Sequence, residues 1–187
     1  KVLVVGLDAL ASGAYLIASA ADQIYVQKDT LTGSIGVIMS SFGFSDAINR
    51  LGIHRRVYTA GQNKNRLDPF ITETPSDLAK IHSVLEQTHQ NFIADVVAGR
   101  KDRLKGKHST LFSGDFWLGQ QAMKLGLVDG TAPPWAAMKA VFNTTYFIDY
   151  TRSDSWWNDI SHNMENQFHL ALQASSHPRL ELMRPFH

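Results

Sequence analysis

Ser12-Gly13 lies between the apolar run "KVLVVG", with its short continuation "LDALA", and the alanine-rich stretch "AYLIASAAD". A serine at the first turn of a helix that follows a buried strand holds its Oγ beside unpaired N–H groups of partial positive charge, a setting that stabilises an oxyanion. Gly13 has no Cβ and lets a substrate carbonyl approach its amide, so the pair suits acyl transfer. The same serine suits an ordinary helix N-cap, and this stretch alone leaves both readings open.

A serine nucleophile needs a base, most often histidine. Of the eight histidines, His54, His82, His89 and His108 fall at a helix end, on the polar side of a long helix or in a basic connector. None is bracketed by orienting groups, which predicts solvated rather than catalytic side chains. His177 and His187 lack metal-ligand spacing, and Gly33 with Gly36 makes only a "GxxG", so no metal, nucleotide or other cofactor is expected. The chain has no cysteine, which removes thiolate catalysis, thiolate zinc sites and disulfides. Lysine serves as a base only where desolvation lowers its pKa from about 10.4 toward neutrality. Lys64, in "YTAGQNKNRLDPF", follows an expected strand and a glycine, in a loop able to fold back over a sheet.

The elements that must position these groups alternate. "KVLVVG" reads as a buried parallel strand, and the run from Ser12 to about Ala21 as a helix buried nearly all round. "DQIYV", "TLTGSIGVI" and "HRRVYTAG" read as strands, with "FSDAINRLGI" as a helix stopped by glycine. In "TPSDLAKIHSVLEQTHQNFIADVVAGRK", Thr74 caps, Pro75 opens the helix, and Leu78, Ile81, Leu85, Phe92 and Val96 form one apolar stripe up to Gly99. "SGDFWLGQQAMKLGLVD" predicts a second capped helix and a short strand, after which Pro133 and Pro134 break the chain. "TTYFIDY" suggests a last strand, "DSWWNDISHNMENQFHLALQ" an amphipathic helix, and the remainder an extended tail. Strands alternating with helices predict an α/β fold with a largely parallel sheet. The domain reading is 1–147 for the main domain and 148–187 for the C-terminal helix and tail.

The 187 residues, 44% of them hydrophobic and 19% charged, suffice for one sizeable core. A net charge of +1 gives no global field for nucleic acid or an anionic surface, so no nucleic-acid partner is expected. The connector "GRKDRLKGK" has five positive residues but no interleaved aromatics and reads as a solvated loop. Trp156 and Trp157 suit core packing, a membrane interface or a neighbouring subunit.

"ASGAYLIASAADQIYV", "TGSIGVI", "GQNKNRLDPF" and "GQQAMKLGLVD" follow one another as in the signal peptide peptidase A / protease IV family of serine–lysine peptidases, and the chain resembles especially its SohB-type inner-membrane members. The likeness covers about residues 1–130. It implies a ClpP/crotonase-like α/β fold of repeated β-β-α units, with Ser12 as nucleophile and Lys64, 52 positions later, as general base. It also implies that Ser34 orients Lys64 and that the Gly13 amide contributes to the oxyanion hole. Hydrophobic, signal-peptide-like peptides are the implied substrates. A homo-oligomer at the bacterial inner membrane, its catalytic domain periplasmic or otherwise extracytoplasmic, is the implied setting.

Two departures stand out. The family's Ser-Gly-Gly is Ser12-Gly13-Ala14 here, and the family's upstream strands, second oxyanion donor and N-terminal anchor have no counterpart before Lys1. The chain is therefore expected to be the downstream part of such a peptidase. A His-based relative of the same fold would need histidine about where Val37 stands. A non-catalytic scaffold derived from the fold is the remaining alternative.

Overall fold

The structure, a computed structural model, describes residues 1–150. Contacts divide the chain into Lys1–Thr145 and Tyr146–His187. Of the second unit only 146–150 is described, and it is neither helix nor strand. "TTYFIDY" is thus not a strand, and the amphipathic helix, tryptophans and tail expected beyond it lie outside the described residues.

The first unit begins with two strands and a helix, β1 (Leu3–Gly6), β2 (Ala9–Ala11) and α1 (Gly13–Ser19), followed by a second strand pair, β3 (Gln23–Val26) and β4 (Leu31–Gly33). β1 pairs in parallel with β3, and β2 in parallel with β4, so each strand of the first pair lies beside its counterpart in the second. Two three-stranded sheets result. In one, β3 is central between β1 and β6 (Gly130–Thr131), all parallel; in the other, β4 is central between β2 and β5 (Phe116–Leu118), the last antiparallel. The central place of β3 explains the complete burial of Ile24 and Val26, whereas β1, at an edge, is only half-buried. α1 is likewise less enclosed than its composition suggests. Tyr15 and Ala18 point into the core, but Ile17 is 76% exposed, because one face of this short helix meets no neighbour among the described residues.

α2 (Ser45–Arg50) and α3 (Pro75–Arg100) follow. Thr74 and Asp77 form a reciprocal capping box at the start of α3, and Pro75 occupies its first turn. Its buried face, Phe92 and Val96, meets α1, Ile24 and Ile35 within the core cluster. Fully burying such a side chain contributes roughly 1.5–3 kcal/mol. After α4 (His108–Leu111), β5 runs straight into α5 (Gly119–Lys124), whose first residue lacks a side-chain cap. The capped helix expected from Ser113 is therefore a strand followed by a shorter helix. Nor do Pro133 and Pro134 merely break the chain. Proline fits a first helical turn, and Pro134 opens α6 (Pro134–Phe142).

The largest departure is residues 36–74, none of which is buried. "HRRVYTAG" forms no strand and pairs with none among the described residues. This segment instead closes on itself. Phe44 stacks between Phe42 and Phe70, the Phe44 amide donates to the Pro69 carbonyl at 2.6 Å, and Arg55 lies over Phe70 while pairing with Asp68 at 2.7 Å. Arg66, 3.0 Å from Asp77, ties it to the start of α3.

Candidate active site

Ser12 stands at the sharp turn from β2 into α1. Its amide donates to the Gly33 carbonyl at 2.8 Å, extending the β2–β4 ladder by one residue, and its carbonyl accepts the first helical bond from Leu16 at 2.9 Å. Between these constraints its backbone is forced to φ 53°, ψ −125°, a left-handed conformation unusual for a residue with a side chain. Such conformations cost about 1–3 kcal/mol and cluster at functional turns. Its side chain makes no capping hydrogen bond to α1. The helix-cap reading accounts for neither fact.

Gly13 opens α1, and the first amides of a helix have no intrahelical acceptor. A Cβ built on Gly13 would meet no protein atom within 4 Å. Neither a positive φ nor packing requires glycine here, so the space it leaves opens outward.

Ser34 follows Gly33 off the end of β4, also left-handed at φ 50°, and its amide donates to the Asp115 carbonyl at 2.7 Å. That bond draws the 113–115 turn against the 34–38 segment so closely that a Cβ on Gly36 would lie 2.8 Å from the Gly114 Cα. Ser12, Gly13 and Ser34 thereby line one cavity of about 640 Å³. Leu16 of α1, Val37 and Ile38 give it apolar walls, with Phe92 and His89 of α3 opposite.

Lys64 does not line this cavity. Its side chain is exposed in another cleft, beside Arg55, Asp68 and Phe70. The expected enclosure of Lys64 beside Ser12 is therefore not seen. The physical reason is that residues 36–74 pack on themselves and on the α3 start rather than on the sheets.

His89 and Arg100 are placed otherwise than the sequence suggests. His89, expected on the solvated side of α3, is partly buried on the cavity wall, its Nε2 3.1 Å from the Ile35 carbonyl. Arg100, expected in a solvated connector, is wholly buried. It donates through Nε and Nη2 to the Gly126 carbonyl at 3.0 and 2.9 Å and grips Asp129 bidentately at 2.8 and 3.0 Å. Asp129 also accepts from the Ile24 amide at 2.8 Å and from Arg103 at 3.2 Å. Burial works against its charge, but Arg100, the Ile24 amide and Arg103 outweigh it and hold the carboxyl below the ordinary aspartate range. Tyr15, one turn beyond Ser12, donates to the Leu127 carbonyl at 2.6 Å, and burial pushes its phenol pKa well up. The network joins α1, β3, α3 and the 126–129 turn behind the cavity.

The arrangement presents an exposed hydroxyl on a strained turn, an open helix-start amide and a partly apolar cavity, the parts that attack on a carbonyl uses. Comparison with known proteins agrees in kind. The model of peptidase family S49 matches residues 1–141. The chain is 31% identical over 119 residues to a putative signal peptide peptidase SppA of Enterococcus faecium, covering 64% of this chain and 34% of that protein. It is 33% identical over 128 residues to a probable protease SohB of Haemophilus influenzae, covering 68% and 35%. It also matches a protein named Na(+)/H(+) antiporter NhaA of Brucella abortus, 42% identical over 146 residues, 78% of this chain and 19% of that protein. The chain thus spans at most about a third of the length of these three relatives.

Proposed function

The chain belongs to peptidase family S49, and on that premise we propose that it supplies the serine nucleophile of an endopeptidase with a ClpP/crotonase-like fold. The observation that carries this reading is the left-handed, uncapped Ser12 facing a cavity beside an unobstructed Gly13. In the proposed reaction neutral Lys64, oriented by Ser34, takes the proton of Ser12 as Oγ attacks a peptide carbonyl. The Gly13 amide holds the oxyanion, the same lysine protonates the leaving amine, and water then releases the acyl group. A base must come within hydrogen-bond reach of the hydroxyl, so segment 36–74 has to carry Lys64 to the cavity. Val37 and Ile38, at the start of that segment, already line the cavity.

Leu16, Val37, Ile38 and Phe92 favour apolar side chains of an extended peptide, in keeping with signal-peptide-like substrates. The relative named as a putative signal peptide peptidase favours the same substrate class. A bacterial inner-membrane setting with an extracytoplasmic site, and a homo-oligomer, belong to the proposal through the family resemblance of the four sequence motifs alone. Among the described residues no helix is long and apolar enough to cross a membrane, so an anchor would have to be supplied elsewhere.

The test is cleavage of a quenched apolar peptide together with labelling by a fluorophosphonate. Ser12→Ala abolishes both, and Lys64→Ala lowers the cleavage rate by at least about 10³-fold. The separate cleft of Lys64 favours a second reading, a non-catalytic scaffold of this fold. Absence of labelling and of cleavage, in this chain and in a longer form, would establish that second reading.

A further inference from the structure

Among the described residues, His89 is the only titratable side chain on the cavity that holds Ser12, and the proposed chemistry gives it no part. It stands on α3 three residues before Phe92 and seven before Val96, in line with the buried face of that helix. The gap between Leu85 and Phe92 in the apolar stripe is therefore filled by an imidazole. Its Nε2 lies 3.1 Å from the Ile35 carbonyl. A carbonyl only accepts, so Nε2 carries the hydrogen, and in the neutral ring the lone pair falls to Nδ1.

We infer that His89 is a positioning residue, which fixes the 34–38 wall of the Ser12 cavity by donating to the Ile35 carbonyl. The inference rests on the peptidase reading for its consequence. The wall needs such a tether. Residues 34–38 belong to no strand, Ser34 is left-handed, and the Gly36 amide folds back onto the Ser34 carbonyl at 3.0 Å. The Ile35 side chain is fully buried, but its carbonyl points to α3, where His89 meets it. Gly36, Val37 and Ile38, immediately beyond, face the cavity. Losing the donor frees the stretch on which a substrate lies while leaving the Ser12 turn, built from β2, β4 and α1, in place.

The test uses the full chain with His89→Phe, which fills the space without donating, and His89→Gln, whose side-chain amide restores a donor. Amide exchange over residues 34–38 is expected to quicken about three- to tenfold in His89→Phe, the worth of one neutral hydrogen bond, and to return most of the way in His89→Gln. In cleavage of a quenched apolar peptide, His89→Phe is expected to raise KM by about three- to tenfold with kcat within about twofold, and His89→Gln to recover most of that loss. Nitrogen NMR of the unmodified protein is expected to show the neutral ring protonated at Nε2. A ring protonated at Nδ1 would overturn the inference, and does so even where a variant fails to fold. So would a His89→Gln protein as impaired in kcat as His89→Phe, which would make the ring's basic nitrogen the working group. A His89→Phe protein matching the wild type in exchange would reduce His89 to a space filler. If neither the wild type nor a longer form cleaves or takes the label, the peptidase reading fails while exchange and NMR still decide the tether.

Discussion

Gly13 separates stability from use more cleanly than any other residue of the site. Its backbone is ordinary, and an added Cβ touches nothing within 4 Å. Alanine there lowers the entropy of the unfolded chain and suits a helix better, so Gly13→Ala is expected to leave the melting temperature unchanged or to stabilise by about 0.4–1 kcal/mol. The methyl group enters the space where a carbonyl would approach the amide. Cleavage by Gly13→Ala is therefore expected to fall at least about tenfold, approaching the loss of one oxyanion donor. Thermal melts and peptide kinetics on one preparation check both signs. Equal losses in stability and cleavage would mean that glycine serves the fold instead.

At the scale of elements, the Arg100–Asp129 pair joins α3 to the turn before β6 and, through the Ile24 amide, to the central strand β3. The Asp129 carboxyl is held below its ordinary pKa, so the folded chain binds its proton less readily than the unfolded chain. The resulting stability is fully present above the unfolded value of about 3.9 and is lost as pH falls through the lower folded value. Asp129→Asn is expected to remove this acid-sensitive part and, by leaving Arg100 buried without its counter-charge, to destabilise by about 3–5 kcal/mol at neutral pH. Denaturant melts of both proteins across acid and neutral pH check this, the difference between them narrowing on acidification.

The same elements show what could be read beforehand. Thr74, Pro75 and Asp77 announce α3, and "KVLVVG" and "DQIYV" announce β1 and β3, because caps and β-branched runs act locally. His89 and Arg100 are hidden in the sequence because an apolar stripe signals burial only through its apolar residues, although both continue it at helical spacing. Pro134 reads locally as a breaker where it is a helix start. The pairing of "HRRVYTAG" and the enclosure of Lys64 are matters of long-range packing, on which no local signal bears.

At the scale of the molecule, burial is divided unevenly among the described residues. The core cluster draws on the two sheets, α1, α3 and the 111–128 region, while residues 36–74 contribute none of it and expose Ile38, Phe42, Leu51 and Tyr58. Segments with few buried contacts open at low free energy. Among the sites within the described residues, limited trypsin digestion is expected to cut first at Arg55, Arg56, Lys64 or Arg66, leaving the peptide bonds within β1 to β4 intact. First cuts at Lys28 or within α3 would contradict that division.

The parallel sheet also sets an order of events. β3 receives its second neighbour only from Gly130–Thr131, and Tyr15 finds its acceptor at Leu127, 112 positions further on. During synthesis the Ser12 turn thus waits, with one flank of β3 unpaired, until nearly the whole of the matched region has left the ribosome. Contacts of such sequence separation form slowly and leave strand edges open meanwhile. The nascent chain thus carries an open strand edge while α3 is being made, and the sheet behind the Ser12 turn is completed by β6, the last strand among the described residues.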